Sequence, residues 1–163
     1  MPDNTIQIKS FSLKAPGRLE KLQTDVLVFS PIKLNTSTEP KMWRGLWDTG
    51  ASFSCINQKI VDDLKLSTLG KKQISTANGV KEVNTYVVNI KLPNNVIVQN
   101  VIAACADLGP NIDLLIGMDI ISLGDFAITN VNGKTTFSFR LPSISIIDFN
   151  CAENPYTQFF IKR

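Results

Sequence analysis

Asp48-Thr49-Gly50-Ala51-Ser52 directly follows a predicted apolar strand, and no other segment of the sequence says as much about the fold. Gly50 allows a close approach of the backbone, so that backbone N–H groups can point at the carboxylate of Asp48. Ala51 is small enough to leave room beside this carboxylate, and Thr49 and Ser52 supply hydroxyl groups that can hold it in place. The stretch therefore predicts an aspartate that is fixed in a tight turn and available for chemistry.

One carboxylate cannot act as general base and general acid in the same reaction, because one group must take a proton while another gives one. Two carboxylates about 3 Å apart can do both, since they cannot ionise together and therefore share one proton. The chain contains no second Asp-Thr-Gly and no Asp-Ser-Gly. The partner of Asp48 is therefore expected from a second copy of the chain, related by two-fold symmetry.

The composition is typical of one folded domain and excludes several kinds of site. Of the 163 residues, 44% are hydrophobic and 19% are charged, a balance that allows a buried core. The chain has no histidine, so a catalytic site built on an imidazole base is excluded and the commonest zinc ligand is missing. The net charge is only +3 and no long basic run is present, so we expect no nucleic-acid partner.

The cysteines and the apolar runs give an expectation for the compartment. Cys55, Cys105 and Cys151 are scattered and odd in number, which predicts reduced and mostly buried thiols. No signal segment is visible, and no apolar run reaches the length of a membrane span. We therefore expect a cytoplasmic protein without a membrane partner. Nothing in the sequence implies a metal or an organic cofactor.

Short apolar runs, many of them rich in β-branched residues, predict a mainly β domain. Asn57 is predicted to cap a short helix whose region ends at Gly70, and a second helix is predicted to stop before Gly124. The strongest turn signal is Asn78-Gly79, because both residues tolerate the positive φ of a tight hairpin turn. Short strands with one or two short helices indicate an all-β fold, a small closed β-barrel. The predicted strands and hairpin arms cover residues 6–13, 25–32, 42–47, 53–56, 73–92, 96–104, 112–116, 126–128 and 135–139.

The motif at residues 48–52 resembles the active-site motif of the retropepsin-like aspartic proteases, the retroviral-type enzymes and their cellular relatives. In that family a second motif consists of two apolar residues, a glycine and a short helix, and residues 114–121 (LLIGMDII) are similar to its retrotransposon and bacterial versions. The family places a mobile hairpin, the flap, between the two motifs, where this chain has its Asn78-Gly79 turn. The resemblance covers residues 27–139.

The resemblance implies a homodimeric aspartic endopeptidase that cleaves a protein or peptide substrate. It also implies that Thr49 bonds across the dimer, that Ser52 tunes the carboxylates and that the flap holds an extended peptide. The protease domain is expected at residues 25–141, after an N-terminal extension at 1–24 and before a C-terminal extension at 142–163. This C-terminal extension lies outside the resemblance and is interpreted either as part of the dimer interface or as a frayed or partner-binding tail. The residues assigned in this way are, for catalysis, Asp48, Thr49 and Gly50; for substrate binding, Ala51, Ser52, Ala77, Asn78, Gly79 and Val80; and for support of the catalytic loop, Leu115, Ile116 and Gly117.

Several residues admit a second interpretation. Asp48 suits a turn by itself, and the domain would then be a non-catalytic module of the same fold that dimerises or binds peptides. A third hypothesis is a regulated precursor, in which an extended end blocks the cleft until self-cleavage removes it. Asp119 is interpreted as a charge in the first turn of a helix. Trp43 and Trp47 are interpreted as core or interface residues rather than as the wall of a pocket, and Cys55 as a buried inert thiol.

Overall fold

The structure is a computed structural model that describes residues 7–31, 41–76 and 79–148, with the backbone alone at residues 75 and 76. The prediction of a mainly β domain with short helices is confirmed. Within the described ranges the chain forms ten strands and two short α-helices, in the order β1 (Lys9–Lys14), β2 (Gln23–Phe29), β3 (Lys41–Trp47), β4 (Cys55–Ile56), α1 (Gln58–Asp63), β5 (Gly70–Thr76), β6 (Gly79–Lys91), β7 (Ile97–Cys105), β8 (Leu114–Ile116), α2 (Met118–Ile121), β9 (Asp125–Thr129) and β10 (Thr136–Leu141).

The larger sheet has seven strands in the order β2-β3-β8-β4-β7-β6-β5. Most neighbours are antiparallel, but β3 runs parallel to β8, and β4 runs parallel to β7. The end of β2 also pairs with β6, with Leu27 opposite Lys91 and Phe29 opposite Asn89. Six strands therefore form a closed circuit of hydrogen-bonded neighbours, and β5 lies outside this circuit as a partner of β6 alone.

A second sheet of three strands, in the order β1-β10-β9, covers part of the core with aromatic side chains. Trp47 is buried, and its ring centroid lies 5.2 Å from that of Phe137 and 4.8 Å from that of Phe139. The indole Nε1 of Trp47 donates a hydrogen bond of 2.9 Å to Thr24 Oγ1, which satisfies its polar atom inside the core. Trp47 is therefore a core residue, and the half-buried Trp43 packs against the same core.

The first helix begins as the sequence predicts but ends earlier. The side chain of Asn57 accepts a hydrogen bond of 3.1 Å from the Ile60 backbone N–H, as an N-cap residue does. The helix stops at Asp63, and the chain turns at Lys65, whose φ of 49° lies in the left-handed region. The prediction that Gly70 ends the helical region is wrong, because Gly70 is the first residue of β5.

The hairpin predicted at residues 126–139 is confirmed as β9 and β10, with Asn132 and Gly133 between them at φ values of 53° and 72°. No helix in the described part of the chain is long and apolar enough to cross a membrane.

Asp125 ties the start of this hairpin to the segment that follows β10. Its carboxylate accepts hydrogen bonds from Ser143 Oγ at 2.5 Å, from the Ile144 backbone N–H at 3.1 Å and from Arg140 Nε at 2.8 Å. These hydrogen bonds, that of Ser143 first, lower the pKa of Asp125 to about 2, from an ordinary value near 3.8. The folded chain therefore binds a proton at Asp125 less readily than the unfolded chain does.

We expect this carboxylate to make folding depend on pH in acid. Because the folded pKa is depressed, its contribution to the free energy of unfolding is present above about pH 4 and is lost as the pH falls towards 2. Asp125→Asn should flatten the pH dependence of the urea midpoint in this window. Asp62→Asn, at an exposed carboxylate of α1, should keep the wild-type slope. An unchanged slope in Asp125→Asn would contradict the assignment.

Candidate active site

Asp48 lies where two parallel strands end side by side. Trp47 is the last residue of β3 and pairs with Ile116, the last residue of β8. The backbone N–H of Asp48 then donates a hydrogen bond of 3.0 Å to the Ile116 carbonyl. This pairing fixes the point at which Asp48 leaves the sheet and opens what we call the Asp48 loop, residues 48–54.

The loop closes around the carboxylate of Asp48. The Gly50 N–H donates a hydrogen bond of 2.8 Å to Asp48 Oδ1, and the Ala51 N–H donates one of 3.3 Å to the Asp48 carbonyl. A Cβ atom at Gly50 would lie only 3.1 Å from the same carboxylate oxygen. Asp48 as a whole residue is half-buried, whereas Thr49, Gly50 and Ser52 are exposed. Asp48 is therefore oriented by its own loop while one side of the loop stays open.

The second motif packs directly against the Asp48 loop. Leu115 and Ile116 belong to β8, and Gly117 precedes α2. A Cβ atom on Gly117 would lie 2.6 Å from the carbonyl carbon of Phe53 and 3.0 Å from the Ala51 oxygen, distances that no side chain could keep. The Met118 N–H donates a hydrogen bond of 2.8 Å to the same Ala51 oxygen. Position 117 therefore requires glycine for close packing and not for an unusual φ.

A hydrogen-bond network around Asp119, which the sequence did not reveal, fastens these two segments. The Asp119 carboxylate accepts hydrogen bonds from the Ser54 N–H at 3.0 Å and from Ser54 Oγ at 2.9 Å. Ser54 Oγ accepts in turn from the Gly117 N–H at 3.2 Å. Asp119 does lie in the first turn of α2, as predicted. Its partner lies 65 positions away, so no local pattern could have identified this contact.

The β5–β6 hairpin stands over the same loop. Ile74 of β5 is buried in a small cluster with Cys55 and Ala104, against which Phe53 and Leu115 also pack. The predicted hairpin is confirmed. Gly79 was predicted within the turn, but it pairs with Thr76 and is the first residue of β6, with a φ of 99°. Val80 follows it and is exposed. Two residues assigned to the flap, Ala77 and Asn78, lie outside the described residues.

Exposed apolar side chains surround Thr49 on the open side of the loop. Thr49 lines a shallow cavity of about 480 Å³ together with Met118 and Ile121 of α2 and with Ile147, a residue of the segment after β10. Met118 is 36% exposed and Ile147 is 50% exposed. The side of the molecule that carries Thr49 is therefore apolar as well as open.

Cys55, the cysteine that follows the Asp48 loop, is an unreactive thiol. Burial, above all, raises the pKa of the Cys55 thiol to about 11, and the nearby Asp119 carboxylate adds to the rise. Burial also raises the pKa of Cys105. Neither residue forms a disulfide, so Cys55 and Cys105 are reduced thiols as predicted, whereas Cys151 lies outside the described residues. A thiol that stays protonated at neutral pH is a poor nucleophile.

Metal ligands do not cluster in the part of the chain that the structure describes. No group of three or more His, Cys, Asp or Glu side chains there lies close enough together to hold an ion.

Comparisons with known proteins agree with this geometry. A family model described as "Aspartyl protease" matches residues 31–120. A retropepsin-like aspartic protease from Rickettsia conorii has the same fold, with a TM-score of 0.50 and 15% identity over 83% of this chain and 96% of that one. Two further solved structures resemble the chain more weakly. An EIAV protease in complex with the inhibitor HBY-793 has a TM-score of 0.48 and 22% identity over 63% of this chain and 86% of that one. A simian foamy virus (mac) protease has a TM-score of 0.43 and 15% identity over 62% and 92%.

No curated protein matches the chain. The family model nevertheless spans more than half of the sequence, including the first motif and all but the last residue of the second, and the Rickettsia structure shares the fold. The resemblance seen in the sequence is thus confirmed: the chain belongs to the aspartyl protease family and has a retropepsin-like fold.

Proposed function

We propose that the chain is an aspartic endopeptidase that works as a homodimer, with a water molecule activated between the Asp48 carboxylates of two copies. The observation that carries this proposal is the setting of Asp48. Asp48 is a half-buried residue, its carboxylate is oriented by the Gly50 N–H at 2.8 Å, and its neighbour Thr49 lines the open, apolar cavity beside the loop. A second copy placed against that side by two-fold symmetry would bring a second, identical carboxylate to the first.

The paired carboxylates would divide acid and base roles. The ionised Asp48 takes a proton from water as the water oxygen attacks the carbonyl carbon of the peptide bond. The protonated Asp48 of the other copy hydrogen-bonds to the carbonyl oxygen, and a proton then passes to the amide nitrogen as the C–N bond breaks. The pair ends with one shared proton, as it began. Only the water and the peptide are therefore consumed.

The surrounding residues would position this pair and the substrate. Thr49 is proposed to bond across the dimer, Gly50 to orient the carboxylate and Ser52 to tune it. Leu115, Ile116 and Gly117 support the loop from below. The further residues proposed to bind substrate are Ala51 and residues 77–80, with the flap pairing to an extended peptide through its backbone. We propose that the protease domain spans residues 25–141. Strand β1 belongs to the segment that precedes this domain.

The segment after β10 is proposed to form part of the dimer surface. Ile144, Ile146 and Ile147 are 48%, 95% and 50% exposed, and Ile147 lines the cavity that also contains Thr49. Three isoleucines within four positions are costly to leave in water, and a second copy of the same surface would cover them. The dimer is therefore expected to bury this segment next to the paired Asp48 loops.

Ile146→Asp should weaken the dimer and with it the activity. Because Ile146 is 95% exposed, the substitution removes little packing inside one chain but places a charge in the proposed interface. We expect the dissociation constant to rise about 10-fold or more, measured by analytical ultracentrifugation, with activity recovering at high protein concentration. Met42→Asp, 70% exposed at the opposite end of β3 from Asp48, should leave both unchanged. An unaltered dimer in Ile146→Asp would exclude this surface.

The function itself is tested by offering a mixed peptide library to the protein from acid to neutral pH. Internal cleavage of peptides, read by mass spectrometry, is the expected result. A protein that is dimeric and cuts nothing would point instead to a module that uses the same fold for binding or dimerisation.

A further inference from the structure

The two faces of the β5–β6 hairpin differ in charge. Residues directly opposite each other on antiparallel strands have side chains on the same face, and the register places Lys72 opposite Val83 and Ile74 opposite Lys81. These four side chains share what we call the inner face, since residues two apart on a strand also share a face. The outer face carries the residues between them: Lys71, Gln73, Glu82 and Asn84.

The inner face is the one that looks onto the Asp48 loop. Ile74 is only 8% exposed and packs with Cys55, which follows the loop directly. Lys72 Nζ lies 3.5 Å from the centroid of the Phe53 ring, and Phe53 is part of the loop. The ring face attracts the ammonium group and keeps it near one position beside the loop. Lys72 is thus held next to the candidate site by a contact that is not an ion pair.

The charges of the two faces are balanced differently. On the outer face Lys71 is neutralised by Glu82, with 2.8 Å between Nζ and Oε2. On the inner face Lys72 and Lys81 have no carboxylate within ion-pair distance among the described residues. The hairpin therefore presents unpaired positive charge to the site and a neutral pair to solvent.

Phe53, whose ring carries Lys72, lies five positions after Asp48 in the same loop. Burial is the main cause of the raised pKa of the Cys55 thiol, while Asp48 adds to the rise and Lys72 opposes it, in keeping with this placement. A side chain of a bound peptide would therefore meet Lys72 while the peptide backbone passes Asp48.

We infer that Lys72, seated on Phe53 and reinforced by Lys81, selects peptide substrates with an aspartate or glutamate close to the scissile bond. The inference rests on the proposed function and names the substrate class for it. An extended peptide that pairs with the hairpin directs alternate side chains towards the strands, so one acidic side chain can reach the ammonium group. The cation and the carboxylate would form a charge-assisted hydrogen bond, which is stronger than a hydrogen bond between neutral groups.

Paired peptides test this selection. The peptides of one set have the same sequence except for glutamate, glutamine or lysine at one position within four residues of the cut. For the wild type we expect kcat/KM to favour glutamate about tenfold at one position, mainly through KM. Lys72→Met should abolish this preference while still cutting the glutamine peptide, and Lys72→Glu should reverse it in favour of a lysine peptide. Lys71→Met is the matched control on the outer face and should keep the preference.

A second measurement separates this inference from the proposed function. The affinities of the same glutamate and glutamine peptides are measured for Asp48→Asn, with and without Lys72→Met. These affinities report the selection in the absence of cleavage. If the wild type cut no peptide while glutamate peptides still bound better through Lys72, the proposed function would fall, and Lys72 would select acidic peptides as ligands and not as substrates. If the wild type did not distinguish glutamate from glutamine at any position, or if Lys72→Met kept the preference, the inference would be overturned.

Discussion

Asp48→Asn is expected to lower kcat/KM for peptide cleavage by about 10⁴-fold or more, because both the base and the acid of the pair are lost in the homodimer. Asparagine has the shape of aspartate and keeps an oxygen that can accept the 2.8 Å hydrogen bond from the Gly50 N–H. The loop should therefore hold its conformation. What asparagine cannot do is take a proton from water or deliver one to the amide.

The measurement is cleavage of a peptide found in the library screen, with thermal unfolding and dimer formation followed in parallel. Unchanged stability and dimerisation with activity lost would assign the chemistry to Asp48. Asp107→Asn, in the exposed loop between β7 and β8, is the matched control and should cleave like the wild type. If Asp48→Asn cleaved as fast as the wild type, Asp48 would not be the catalyst.

Gly117→Ala is expected to damage stability and activity together. The added methyl group would lie 2.6 Å and 2.7 Å from the carbonyl carbon and oxygen of Phe53, and backbone atoms cannot rotate away as a side chain can. Either the Asp48 loop or the junction of β8 and α2 must move. We expect a loss of about 1–3 kcal/mol in the free energy of unfolding, the usual cost of forcing an atom into a packed interior.

The same displacement should lower kcat by about 10²-fold, since a shift near 1 Å in the catalytic geometry is enough for such a loss. Urea unfolding and steady-state kinetics measure the two effects separately. Gly17→Ala is the control, because a Cβ there meets nothing within 4 Å, and it should behave like the wild type. A stable, fully active Gly117→Ala protein would show that the second motif does not hold the Asp48 loop.

The features that could be predicted from the sequence depend on residues that are close together in the chain. Residues 48–52 form a turn that is stabilised locally. The donor of its hydrogen bond, the Gly50 N–H, and the acceptor, the Asp48 carboxylate, are two positions apart. The cap at Asn57 and the hairpin of β5 and β6 are likewise local, since each depends on residues within a few positions or on strands joined by a short turn. Such patterns can be read before any tertiary structure is known.

What the sequence could not supply depends on contacts between distant segments. The network of Ser54 and Asp119 joins residues 65 positions apart, and β1 pairs with β10 across most of the chain. The prediction that Gly70 ends a helical region is wrong for the same reason. Its place in β5 is fixed by pairing with Thr85 on β6, which overrides the usual tendency of glycine to end a helix.

Subunit mixing decides whether two copies each supply one Asp48 to a single active site. Wild-type and Asp48→Asn chains are allowed to exchange at a concentration where both are dimeric, and cleavage is measured as their ratio changes at constant total protein. If an active pair needs both carboxylates, activity follows the square of the wild-type fraction, and an equal mixture keeps about a quarter of it. An equal mixture that kept half of the activity would mean that each chain works alone, and the account of a shared pair would be wrong.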